Sequence, residues 1–217
     1  MDNQAGARQP YRIVTPPSAA TMACKRAFDI LCSFLGLTVL SPVLLVVSVL
    51  VAVTSPGGGF FRQERIGKDG KPFRIFKFRS MRKDNAGLKI TTGNDSRITP
   101  VGRFLRKSKI DELPQLINVL VGDMSFVGPR PEVADYVNLY TPYQRQVLLV
   151  RPGITGLASI RFRNENDLLT ASDDPNRTYV EQIMPRKIDL DLEYIPHASV
   201  FYDIKLIFQT FAVVIKE

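Results

Sequence analysis

The sequence predicts an α+β fold, mainly helical, with a re-entrant N-terminal membrane helix broken at Ser41-Pro42, a small basic β-hairpin and amphipathic interfacial helices. Three observations predict it. Residues 30–53 form a run of twenty-four residues without a charge. After a turn at Lys68-Asp69-Gly70-Lys71, residues 72–79 alternate aromatic and basic side chains with the period of a strand. Apolar residues at 110, 113, 116/117 and 120 keep helical spacing, and 180–194 and 200–214 also read as helices. The expected organisation is a flexible tail over 1–24, a membrane helix over 25–54 and one folded domain over 55–217.

The apolar run is long enough for a hydrocarbon core, which takes about 20 residues. It is too long for a signal peptide, whose apolar part is about 7–15 residues. Two features favour a helix that enters and returns over one that crosses. Arg8, Arg12, Lys25 and Arg26 precede the run, and Arg62, Arg65, Lys68 and Lys71 follow it, whereas a crossing helix has its Lys and Arg mainly on one side. Pro42 sits at the midpoint, where it removes a backbone donor and strands the carbonyl of Thr38. The hydroxyls of Thr38 and Ser41 are placed to satisfy the opened turn. A kinked crossing helix is the alternative.

The net charge of +8 is concentrated. Residues 60–110 hold fifteen Lys/Arg against four Asp/Glu, a net of +11, while 164–217 hold five against ten, a net of −5. An anionic partner is therefore expected at the first stretch. Cys24 and Cys32 support neither a disulfide framework nor a zinc site. A single histidine, His197, excludes mechanisms that need a histidine pair.

The basic face of the hairpin, with Lys77 and Arg79, reads as a phosphate-binding surface or as a solvated face near lipid headgroups. Residues 83–99 read as a polar loop, and 98–109 as a short amphipathic helix. Pro114 is tolerable only in a first helical turn. That places Asp111 at or near a helix N-cap, with Glu112 just inside. An aspartate is a good cap. The same setting suits a carboxylate nucleophile or a magnesium ligand. Arg130 lies between Pro129 and Pro131, a stiff mount from which an arginine loses little entropy on binding phosphate, or simply a rigid loop. Residues 157–164 alternate again and offer Arg161 and Arg163, and 164–178 reads as a loop.

From Lys25 onward the chain resembles the bacterial sugar transferases, the monotopic phosphoglycosyl transferases. The resemblance rests on Lys25-Arg26-Ala27-Phe28-Asp29-Ile30, Ser41-Pro42, Gln63-Glu64-Arg65-Ile66-Gly67, Lys77-Phe78-Arg79-Ser80-Met81 and Asp111-Glu112-Leu113-Pro114-Gln115. It continues through Gly122-Asp123-Met124-Ser125, Val127-Gly128-Pro129-Arg130-Pro131 and Arg151-Pro152-Gly153-Ile154-Thr155-Gly156. Single motifs are weak, and their joint order over nearly 190 residues is specific.

The resemblance implies a helix that re-enters the membrane and a catalytic domain over 55–217 at the cytoplasmic face of the bacterial inner membrane. It implies Asp111 as nucleophile on a UDP-sugar, giving an aspartyl-phosphosugar and UMP, with polyprenyl (undecaprenyl) phosphate as acceptor. It also implies Glu112, with an Asp111 oxygen, as the Mg²⁺ ligand, and Arg130 and Arg163, with Lys77 and Arg79, as phosphate contacts. The step would open glycoconjugate assembly, with downstream glycosyltransferases as partners, the bilayer as support and no nucleic acid. Ile110 replaces an expected Leu, and 157–164 departs from the family pattern while keeping Arg163 in register. Larger relatives carry extra spanning helices, so the chain looks like a minimal catalytic form. The rivals are a membrane-anchored nucleic-acid binder, which explains the charge but not the Asp-Glu block, and an assembly scaffold with a decayed site, which leaves the intact pair unexplained.

Overall fold

The computed structural model describes residues 13–55, 57–82 and 95–215. Most of the predicted tail, Pro56 of the turn after the membrane helix and most of the predicted 83–99 loop lie outside the described residues.

Helix α1 (Ala19–Thr54) is followed by β1 (Phe60–Ile66), β2 (Pro72–Phe78), α2 (Pro100–Lys107), α3 (Gln115–Val121), β3 (Ser125–Val127), α4 (Ala134–Val137) and β4 (Gly153–Thr155). Then come α5 (Leu157–Arg161), α6 (Glu165–Thr170), α7 (Pro175–Thr178), α8 (Met184–Tyr194) and α9 (Val200–Ile215). The fold is mostly helical with two small sheets. Strands β1 and β2 pair antiparallel from Phe60↔Phe78 to Ile66↔Pro72, and β3 and β4 pair parallel.

Helix α1 begins at Ala19, before the predicted boundary, because Ser18 caps it by accepting from the Thr21 amide. Val14, placed in the tail by the sequence, is buried in the main core. The predicted break at Ser41-Pro42 is not seen: helical geometry runs on through Pro42. The Ser41 hydroxyl donates to the Thr38 carbonyl at 2.8 Å, replacing the amide that proline lacks, and Thr38 donates to Phe34 O at 2.9 Å. Only 11% of the most apolar window of α1 is buried, which sets it apart from a soluble core helix.

One stripe of α1, through Lys25, Asp29, Ser33, Val47 and Val51, packs on the folded domain. At the N-terminal end Lys25 pairs with Asp203 of α9, and Asp29 accepts from Ser125 Oγ and the Phe126 amide, both at 3.1 Å. At the other end Val47 and Val51 join Phe78 and Leu105 in a separate cluster. Both ends of α1 therefore rest on the same body.

The main core lies between α4, α8, α9 and the 144–150 turn, and a smaller cluster joins Ile75, Val119 and Met124. Gly128 and Gly153 let β3 and β4 meet: a Cβ on Gly153 would lie 2.1 Å from the Gly128 nitrogen. Two readings of the sequence are corrected. Residues 157–161 are helical, not an alternating strand, and most of 164–178 forms α6 and α7 rather than a loop. Leu157-Ala158-Ser159-Ile160 is too short to separate the two periods, and Asp174 caps α7 by accepting from the Arg177 amide at 3.0 Å.

Candidate active site

Thr99 caps α2, with Pro100 in its first turn, and Lys109 then adopts φ 57°, ending the helical path. The chain reverses into a single 3-10 turn over Ile110–Glu112, whose bonds run from the Glu112 amide to Lys109 O and from the Leu113 amide to Ile110 O, both at 3.1 Å. Ile110 anchors the turn against the Val51–Phe78–Leu105 cluster. Pro114 takes the cap position of α3. The predicted N-cap role of Asp111 is thus corrected: its side chain caps nothing, because Pro114 moves the start of α3 to Gln115. Asp111 is buried, and its Oδ1 has no hydrogen-bond partner. An unpaired buried carboxylate oxygen is costly and calls for a ligand.

Glu112 has a different environment. Its Oε1 accepts from Lys77 Nζ at 2.7 Å and from Arg130 Nη2 at 3.0 Å. The predicted pair Asp111–Glu112 therefore meets two of the four predicted cations, Lys77 from β2 and Arg130 from the Pro129–Pro131 loop. Strand β2 is held in place by Asn118 of α3, which accepts from the Phe76 amide and donates to Arg74 O, both at 2.9 Å.

The two acids are driven apart electrostatically. Burial, reinforced by neighbouring Glu112, raises the Asp111 pKa above the ordinary aspartate value, against the pull of Lys77, Arg106 and Lys109. Burial also opposes ionisation of Glu112, yet Lys77 and Arg130 hold it well below the usual range. Burial lowers Lys77, and Glu112 raises Arg130.

Arg163 lies apart from this pair. It lines an open groove of about 490 Å³ with Arg106, Lys107, Lys109, Asn164, Asn166 and Asp167. The groove carries four cationic side chains against one acid, and its Arg106 and Lys109 act directly on Asp111. Those two and Lys107 were missed by the sequence reading, although the Arg106-Lys107-Ser108-Lys109 run immediately before Asp111-Glu112 carried the signal.

Arg79 is corrected. Its guanidinium donates to the carbonyls of Gly57, Gly58 and Phe60 at 3.0–3.1 Å, so it pins the turn between α1 and β1. The cause is register: Phe60↔Phe78 pairing brings the start of β1 beside residue 79. Arg62 lies 4.3 Å over the Phe76 ring.

Mg²⁺ takes hard oxygen donors, often one or two carboxylates completed by substrate phosphates and water. Among the described residues no group of three His, Cys, Asp or Glu is gathered. Adjacent carboxylates, one with an orphaned oxygen, fit a magnesium ion shared with a phosphate-bearing substrate.

A sequence model described as bacterial sugar transferase matches residues 20–217. The chain is 43% identical over 202 residues to an Escherichia coli (strain K12) protein named UDP-glucose:undecaprenyl-phosphate glucose-1-phosphate transferase, covering 90% of this chain and 41% of that protein. It is 38% identical over 199 residues to an Aeromonas hydrophila UDP-N-acetylgalactosamine-undecaprenyl-phosphate N-acetylgalactosaminephosphotransferase, covering 89% of this chain and 44% of the relative. A Rhizobium leguminosarum bv. phaseoli exopolysaccharide production protein is 40% identical over 199 residues, covering 87% and 94%. The chain thus spans about two fifths of the length of the first two relatives and nearly all of the third.

Proposed function

The chain belongs to the bacterial sugar transferase family, and from that premise we propose that it transfers a sugar-1-phosphate from a UDP-sugar to polyprenyl (undecaprenyl) phosphate. The observation that carries the reading is Asp111, a buried carboxylate with an unpartnered oxygen, set beside a Glu112 pinned by Lys77 and Arg130. Phosphoryl transfer needs positioning and charge neutralisation more than a titrating base. This site offers both without histidine.

In the proposed first step an Asp111 oxygen attacks the sugar-bearing phosphorus. The bond from that phosphorus to the bridging oxygen breaks, and UMP leaves with the electron pair. In the second step an oxygen of polyprenyl phosphate attacks the same phosphorus, the bond to Asp111 breaks, and the carboxylate is restored. Arg130 and Lys77 fix Glu112 and place positive charge beside the developing phosphoryl charge. The groove of Arg106, Lys107, Lys109 and Arg163 holds the remaining phosphate of the donor. Asp111 and Glu112 would hold Mg²⁺, which when bound neutralises phosphate charge.

Helix α1 is proposed to dip into the cytoplasmic leaflet and return. Support comes from its two ends, which rest on one body through Lys25–Asp203 and through Val51 with Phe78 and Leu105. A straight crossing would separate those ends by about 30 Å of hydrocarbon. Ile30, Leu31, Val39, Val46 and Val53 of α1, with Phe201, Phe208 and Phe211 of α9, supply apolar surface for lipid. The setting is the inner membrane with the site facing the cytoplasm. The product, a sugar on polyprenyl diphosphate, is an acceptor for downstream glycosyltransferases in glycoconjugate assembly.

A panel of UDP-sugars incubated with the protein, Mg²⁺ and polyprenyl phosphate tests this. UMP release with at least one sugar is expected. No release with any, at full membrane association, would overturn it.

A further inference from the structure

We propose that Glu132 is a positioning residue, which ties Arg65 at the end of β1 to Tyr179 ahead of α8 and so sets Arg130 on Glu112. The inference rests on the transferase reading above. Lys77 and Arg130 share one oxygen of Glu112, yet they come from different parts of the chain. Lys77 lies in β2, opposite Phe61 of β1. The Arg130 side chain is 38% exposed, so packing alone does not aim it, and its direction depends on the loop that carries it.

That loop is gripped by the far end of β1. Arg65 Nη1 donates to Pro131 O at 3.1 Å, and the Ile66 amide donates to Glu132 O at 2.9 Å. The same Arg65 Nη1 lies 3.5 Å from Glu132 Oε2, and the other carboxyl oxygen, Oε1, accepts from the Tyr179 hydroxyl. Tyr179 is buried in the main core, its ring 5.0 Å from that of Tyr136 of α4. Each oxygen of Glu132 thus has its own partner, one on the strand and one in the core. The hairpin that presents Lys77 and the loop that presents Arg130 are locked together by a side chain two residues from Arg130.

Two features favour positioning over plain stability. Arg65 Nε is buried without a partner, and an unmade bond on a buried donor is destabilising. The Arg65–Glu132 pair is largely buried, at 22% and 13% exposure, and such a pair adds little stability over apolar packing while it does fix relative placement. Burial, with Glu132 beside it, raises the Tyr179 pKa, so its hydroxyl remains a neutral donor.

The test compares kcat with a coupling that needs no activity. Glu132→Ala in the full chain should lower kcat for UMP release by about tenfold to a hundredfold, as misplacement of a catalytic group does, with KM for polyprenyl phosphate unchanged. Glu132→Gln, which still offers an acceptor to one partner, should lose less. The coupling is that of Arg130 with Glu112, read from the urea midpoints of Arg130→Ala, Glu112→Gln and the double variant. It should shrink to within error in the Glu132→Ala background. A full-sized coupling there, or Glu132→Ala at wild-type kcat, would overturn the positioning role, whatever stability is lost. If the alanine chain does not fold, Tyr179→Phe takes its place: a severalfold kcat loss and a reduced coupling are expected, and an unchanged coupling overturns the proposal. Absence of UMP release from the wild-type chain would instead defeat the transferase reading, and the coupling cycle would still show whether Glu132 sets Arg130.

Discussion

Lys77 and Glu112, 35 residues apart, meet at 2.7 Å, and the pair joins the second hairpin strand to the turn that carries Asp111. Both side chains are mostly buried, at 17% and 13% exposure, so their separation is not masked by solvent. Glu112→Gln leaves Lys77 and Arg130 facing a neutral group. A stability loss of about 1–3 kcal/mol is expected from the unmade charge-assisted bonds, read as a lower urea midpoint. Because Lys77 and Arg130 depress the Glu112 pKa, its contribution is present above the unfolded value, about 4.3, and fades as pH falls through the lower folded value. The gap between wild type and Glu112→Gln should therefore close in acid. A constant gap from pH 7 down to acid unfolding would contradict the pair.

Asp111 has the opposite sign. Burial raises its pKa, so folding favours the protonated form, a contribution complete below the unfolded value and lost as pH rises through the folded one. Asp111→Asn should thus raise the melting temperature at pH 7 while lowering UMP release by at least about a thousandfold, on the order of losses seen for covalent nucleophiles. Loss of function with gain of stability is the mark of a group kept for chemistry. An inactive variant that is also less stable would point to a structural acid.

The rate should carry the same signature. An ionised Asp111 is needed, so kcat/KM should fall on the acid side with an apparent pKa above the ordinary aspartate value of about 3.9. A flat profile down to pH 4 would leave the nucleophile assignment without support.

At the other end of α1, Lys25 pairs with buried Asp203, which also accepts from Tyr194 Oη at 2.6 Å, while Lys25 Nζ donates to Val127 O at 3.0 Å. Lys25→Met strips the counter-charge from a fully buried acid. A loss of about 3–5 kcal/mol is expected at neutral pH, and less in acid, where Asp203, raised by burial, accepts a proton. Equal losses at both pH values would show that packing, not charge, is at stake.

What the sequence disclosed follows from the range of the interactions involved. The apolar run and the paired strands are local patterns, and both appear close to where their periods predict them. Even the Ser41 hydroxyl on Thr38 O follows from local proline chemistry. The backbone bonds of Arg79 were not legible because its acceptors at 57, 58 and 60 are brought to it by strand pairing, which alternation alone does not reveal. Lys25 and Asp203 are 178 residues apart, so no local pattern discloses their pairing. The short helices α5 to α7 were lost because one or two turns fit either period.

The most direct test is the intact mass of the chain after exposure to a cognate UDP-sugar and Mg²⁺ with polyprenyl phosphate withheld. The account predicts a gain of one sugar phosphate on the wild-type chain, mapped to Asp111, removed when the lipid phosphate is added and missing from Asp111→Asn. UMP release on adding lipid with no mass gain at any time, or the same gain on Asp111→Asn, would contradict it.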